Sequence, residues 1–172
     1  MPEFISVLKK DDIGKMVVAV ARKISSDYKD KELILIGVLK GSFVFLSDLI
    51  RNLSIPVKVD FVGVSSYSDK TSSSGKIQLT KSIEIDIKNK NVLVVEDIVD
   101  SGLTLAWLID YLMSFEPETV NVCALLDKRE RRKTLIQIDY TCHVVQEGFL
   151  VGYGLDYAED YRNLPEIYHL KL

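Results

Sequence analysis

Three carboxylates, one glycine and two hydroxyls fall within nine consecutive positions, as Glu96, Asp97, Asp100, Ser101, Gly102 and Thr104. The residues just before them, 92–95, have the apolar, β-branched character of a strand buried on both faces. After them, Leu105, Leu108, Ile109 and Leu112 resume at helical spacing. The cluster therefore sits where a strand hands over to a helix. There the free N–H groups of the first turn and the positive end of the helix dipole favour an anion. Gly102 lets a phosphate approach the backbone, and Ser101 and Thr104 add hydroxyl donors. Glu96 and Asp97 would repel that anion unless they faced hydroxyl groups or a divalent cation. A ribose phosphate with Mg²⁺ meets both demands. One strand-ending acid and one helix cap would be ordinary; six such groups in nine positions are not.

The chain of 172 residues is long enough for one α/β domain with a substantial core and short for two. Ile13, Met16, Val17, Val20 and Ile24 predict a helix over 13–28. Residues 33–39 read as a buried strand, followed by Lys40-Gly41-Ser42 and a helix through Phe43, Leu46, Leu49 and Leu53. In 56–64, Val57, Val59 and Phe61 alternate with Lys58 and Asp60, a strand pattern. Two further strands, 92–95 and 120–126, flank the helix that runs from Leu103 to about Phe115. This order predicts a mostly parallel twisted sheet flanked by helices on both faces. Ligands gather at the carboxyl ends of such strands, where Lys40, Asp97 and Asp127 fall.

Apolar residues make up 47% and charged residues 27%, a globular balance without any stretch long enough for a membrane span. The start, Met1-Pro2-Glu3-Phe4, lacks the regions of a signal peptide, so a cytoplasmic enzyme is expected. Cys123 and Cys142 read as reduced core residues. A net charge of −3 speaks against a nucleic-acid partner. The basic run Lys128, Arg129, Arg131, Arg132, Lys133 suits either a solvated loop or a face toward an anionic substrate. Seven of the twelve residues in 65–76 are Ser or Thr, which suits a surface loop or a mobile lid. The chain contains no P-loop motif, and Gly152-Tyr153-Gly154 lacks the third glycine of a dinucleotide fingerprint. His143 and His169 do not pair at metal-ligand spacing, and no histidine near Ser101 supports a hydrolase triad.

Residues 94–104, Val-Val-Glu-Asp-Ile-Val-Asp-Ser-Gly-Leu-Thr, resemble the phosphoribosyl pyrophosphate (PRPP) motif of type I phosphoribosyltransferases. From about Asp11 onward the chain is similar to the hypoxanthine-guanine members of that family. Three more segments agree in order and spacing: Val38-Leu39-Lys40-Gly41, Leu125-Leu126-Asp127-Lys128, and Phe-Leu-Val-Gly-Tyr-Gly-Leu-Asp-Tyr at 149–157. The resemblance implies the type I fold, with a small hood from the chain ends and a lid loop over the substrates. It implies that Glu96 and Asp97 hold the ribose hydroxyls directly or through Mg²⁺, and that Asp100, Ser101, Gly102, Leu103 and Thr104 surround the 5′-phosphate. Asp100 is the implied general acid/base, exchanging a proton with purine N7. Lys128 would meet the purine 6-oxo oxygen, Phe149 would stack on the base, and Leu150 and Asp156 would contact it. Leu150 departs from the family's valine, a change that matters little to a backbone contact. Pyrophosphate would meet Leu39, Lys40 and Gly41, with a cis peptide between Leu39 and Lys40, together with Ser66, Tyr67, Arg132 and Arg162. Asp156 would approach a second Mg²⁺ on pyrophosphate.

The implied reaction transfers the 5-phosphoribosyl group of PRPP to N9 of hypoxanthine or guanine, yielding the nucleoside monophosphate and pyrophosphate. The expected partners are these small molecules and further copies of the chain, as a homodimer or homotetramer, without nucleic acid or membrane. The alternative is a regulatory protein that carries a PRPP motif and binds nucleotide and RNA. The acidic balance and the Lys128 and Phe149 segments count against it.

Overall fold

The computed structural model describes residues 1–67 and 76–172, with Tyr67 described by its backbone only, so most of the predicted lid lies outside the described residues. In chain order the elements are β1 (Glu3–Leu8), α1 (Lys10–Asp27), β2 (Leu33–Leu39), α2 (Phe43–Asn52), β3 (Val57–Tyr67), β4 (Lys76–Lys81), β5 (Asn91–Val99), α3 (Leu103–Met113), β6 (Thr119–Lys128), β7 (Tyr140–Val145), β8 (Leu150–Val151) and β9 (Ile167–Lys171).

Six strands form the central sheet in the order β4-β3-β2-β5-β6-β7. All neighbours are parallel except β3 and β4. The order follows from composition: β2 and β5 are the most continuously apolar strands and lie at the centre, where both faces must be dry. Leu33, Leu35, Leu93 and Val95 pack toward α1 and α2. Ile34, Ile36, Val92 and Val94 pack toward α3 on the opposite face. The alternation is the two-residue period of a strand, and the two cores match the predicted mostly parallel sheet with helices on both sides.

A second, three-stranded sheet in the order β1-β9-β8 joins the chain ends into the hood. Among the described residues no helix is long and apolar enough to cross a membrane. One boundary differs from the sequence reading in a way that shapes the site. β5 does not stop at Val95; it continues to Val99, pairing Glu96 with Ala124, Ile98 with Leu126 and Val99 with Asp127. Backbone pairing to β6 carries the strand through both carboxylates, so Glu96 and Asp97 are positioned by the sheet itself rather than by a loop.

Candidate active site

The end of β5, the start of α3 and the end of β6 meet at one edge of the central sheet. Gly102 caps α3 with φ of +82°, a left-handed conformation that suits glycine. A β-carbon there would also press on Thr134 and Arg132. Ser101 Oγ accepts from the Leu103 N–H at 3.3 Å, and Ala106 N–H reaches the Gly102 carbonyl at 2.9 Å to start the helix. Glu96, Asp100, Ser101, Gly102 and Thr104 line a small cavity of about 200 Å³ there. Its shape and donors fit a phosphate group.

Beside it lies a larger cavity of about 450 Å³ bounded by Asp97, Ile98, Asp100, Lys128, Phe149, Leu150, Leu155 and Asp156. Lys128 is 6% exposed, and its Nζ stands 3.8 Å from Asp100 Oδ2 and 4.0 Å from Glu130 Oε2. Asp100 Oδ1 is buried without a hydrogen-bond partner, an acceptor oriented for a donor. Phe149 is 49% exposed although its neighbours Leu150 and Val151 are buried, and Tyr157 meets it edge-on with centroids 5.6 Å apart. An aromatic face held open beside a buried cation suits a flat, polar-edged ring.

Burial pushes the Glu96 carboxyl well above its usual range, with the neighbouring Asp97 carboxylate adding to the effect. Burial also raises Asp97, opposed by the hydrogen bond its Oδ1 accepts from the Ile98 N–H. Asp97 faces the turn after β2, where the Leu39–Lys40 peptide bond is cis, as the resemblance implied. Gly41 is required there, since a β-carbon would overlap the Asp97 carboxylate.

Lys40 Nζ binds Glu159 Oε2 at 2.9 Å, and Arg162 Nη2 lies 3.3 Å from Glu159 Oε1. Arg162 also reaches Asp156 Oδ1 at 3.3 Å and donates from Nη1 to the Gly154 carbonyl at 2.7 Å. Asp156 Oδ2 accepts the Glu159 N–H at 2.9 Å. Ser66 is exposed near the end of β3, and Tyr67 follows it as the last residue of that strand. Arg132 stands apart from this cluster. Its guanidinium pairs with Asp127 and donates to the carbonyls of Asp100, Val99 and Lys128.

Among the described residues no three His, Cys, Asp or Glu side chains converge as a ready metal site. Glu96 and Asp97 adjoin at the cavity walls, while Asp156 is engaged by Arg162 and the Glu159 N–H. A buried and a half-buried carboxylate side by side suit a hard divalent cation that completes its shell with phosphate, hydroxyl and water oxygens.

The sequence profile of the phosphoribosyl transferase domain matches residues 6–158. The chain belongs to the phosphoribosyl transferase domain family. The hypoxanthine-guanine phosphoribosyltransferase of Aquifex aeolicus is 45% identical over 163 residues, covering 94% of this chain and 92% of that one. That of Dictyostelium discoideum is 43% identical over 169 residues, covering 96% and 94%. The crystal structure of a hypoxanthine-guanine phosphoribosyltransferase from Bacillus anthracis superposes with a TM-score of 0.92 at 41% identity, covering 99% of this chain and 100% of that one. The resemblance drawn from four short segments thus extends over nearly the whole phosphoribosyltransferase chain.

Three residues of the site were not singled out by their sequence. Ile98 lines both cavities, yet it reads as one more apolar residue of a strand. Glu159 holds Lys40, which lies 119 positions away. Asp127 ends a strand and belongs to the 125–128 segment, but nothing in the sequence gives it a role, whereas its carboxylate is buried between Arg129 and Arg132.

Proposed function

We propose that this protein is a purine-salvage transferase that moves the 5-phosphoribosyl group of PRPP to N9 of hypoxanthine or guanine, releasing pyrophosphate. The observation that carries the reading is the buried Lys128 ammonium beside the Asp100 carboxylate in a cavity that the open Phe149 ring borders. The whole chain, 1–172, works as one phosphoribosyltransferase domain, in the cytoplasm, as a homodimer or homotetramer.

In this reading Phe149 and Ile98 flank the purine, and the Leu150 backbone and Asp156 meet its edge. Lys128 donates to the 6-oxo oxygen. A 6-amino group would set donors against a donor and leave a buried polar group unpaired, at about 1–3 kcal/mol. Asp100 accepts the purine N7–H as positive charge builds on the base, and returns it in the reverse direction; such help is worth about 10²–10⁴ in rate. The turn formed by Asp100, Ser101, Gly102, Leu103 and Thr104 holds the 5′-phosphate on backbone N–H groups and hydroxyls. Glu96 and Asp97 orient the ribose 2′- and 3′-hydroxyls.

Pyrophosphate leaves toward Leu39, Lys40, Gly41, Ser66, Tyr67 and Arg162, whose cations and amides favour the charge it develops. Glu96 and Asp97 would hold Mg²⁺ on the ribose side, and Asp156 would lie near a second Mg²⁺ on pyrophosphate. Bound there, Mg²⁺ supplies neutralising charge to the leaving group. Family resemblance places Arg132 with this group as well, but each of its hydrogen bonds here goes to Asp127 or to a backbone carbonyl.

Incubation with PRPP, Mg²⁺ and hypoxanthine, followed by ultraviolet absorbance and mass spectrometry, tests the reading. Formation of IMP and pyrophosphate is expected. Absence of transfer with every purine, together with binding to structured RNA at moderate salt, would replace it with the regulatory alternative.

A further inference from the structure

Asp127 is 4% exposed, and its carboxylate lies between two arginines: Arg129 Nε at 3.0 Å from Oδ2, and Arg132 on Oδ1. The Arg132 guanidinium in turn donates to the carbonyls of Asp100 at 3.0 Å, Val99 at 3.4 Å and Lys128 at 3.3 Å. Beside it the Lys133 N–H donates to the Ser101 carbonyl at 2.9 Å. Four backbone carbonyls are thereby drawn toward the 128–133 turn, three of them from the stretch that opens α3. In a trans peptide the N–H points away from its carbonyl, so drawing the Val99, Asp100 and Ser101 carbonyls toward Arg132 and Lys133 turns the N–H groups of Asp100, Ser101 and Gly102 away from them, and these three residues line the small cavity. A guanidinium fixed in its plane by a buried carboxylate can hold several acceptors at once.

We infer that Asp127 is a positioning residue for phosphate recognition. Through Arg132 it holds the 5′-phosphate turn in its binding shape and ties that turn to the backbone of Lys128. The inference rests on the function proposed above, and it moves Arg132 from the leaving group to the support of the phosphate turn.

Calorimetric titration of the wild type, Asp127→Asn and Arg132→Lys with GMP, guanosine and magnesium pyrophosphate tests it. Asparagine keeps the shape of aspartate but removes the charge, and lysine keeps the charge but loses the fork. In both variants GMP binding should weaken by about tenfold or more, the scale of a lost hydrogen bond to a charged group. Guanosine and pyrophosphate affinity should stay at the wild-type level. Equal weakening of GMP and guanosine would reduce Asp127 to general scaffolding and overturn the inference, as would unchanged GMP affinity. Loss confined to pyrophosphate in Arg132→Lys would overturn it by returning Arg132 to the leaving group. Should Asp127→Asn fail to fold, Arg132→Lys decides alone. Wild-type protein that binds no GMP would instead remove the proposed function and this inference together.

Discussion

The two sides of the site are held by different physics. On the phosphate and base side, Glu96, Asp127 and Lys128 are 7%, 4% and 6% exposed, and strand pairing or contacts with the half-buried Arg132 guanidinium fix them. On the side proposed for pyrophosphate, the Lys40 and Glu159 side chains are 66% and 63% exposed and hold each other across solvent. Buried charges are weakly screened and costly to rearrange, whereas exposed pairs exchange partners readily and weaken with salt. The contrast suits the proposed chemistry: the nucleotide side must keep one geometry throughout transfer, while the leaving-group side must admit and release a highly charged group.

The sharpest break would come at Asp100. Asp100→Asn should keep PRPP affinity and lose about 10²–10⁴ in turnover, measured by steady-state transfer alongside equilibrium binding. Equal turnover would remove Asp100 as the proton-exchanging group. The seam between the two sides is next: Gly41→Ala must push the Asp97 carboxylate aside. Overpacking of this kind typically costs about 1–3 kcal/mol, so kcat/KM for PRPP should fall by about tenfold or more.

Glu96 gives a pH signature. Its folded-state value is raised by burial and by Asp97, so its favourable contribution is complete below the ordinary glutamate range. That contribution is lost as pH rises from there through the raised value. Ligand-free protein should therefore melt at lower temperature as pH rises across that window. Glu96→Gln should flatten the dependence and raise the neutral-pH melting temperature by about 2–4 °C, the shift expected for ~1 kcal/mol in a chain of this size. A variant that melts at or below the wild type at neutral pH would contradict this. The smallest effect belongs to the exposed side. Glu159→Gln should tighten magnesium pyrophosphate about two- to fivefold at low salt, with the gain fading as salt rises. A salt-independent change would show that the Lys40–Glu159 pair is not the solvent-screened contact it is taken to be.

The same contrast explains how much was legible in the sequence. β2 and the first part of β5 announce themselves because both faces are buried and every residue must be apolar. The chemistry at 96–104 is equally plain, because acids, hydroxyls and a glycine have no packing reason to cluster after such a strand. β1 is mostly exposed and β8 has two residues, so the hood lacks a periodic pattern and came only from family resemblance. The continuation of β5 through Glu96 and Asp97 is set by pairing with β6, a tertiary fact that overrides local polarity. Asp127 and Arg132 are only five positions apart, but nothing local says that the turn between them folds back under Asp100. The Lys40–Glu159 contact depends on the sheet edge bringing distant segments together.

The most direct test is transfer from PRPP with Mg²⁺ to hypoxanthine, guanine and adenine in parallel. A Lys128 ammonium facing the base edge predicts turnover with the two 6-oxopurines and rejection of adenine. Adenine used as well as hypoxanthine would contradict the account at its centre.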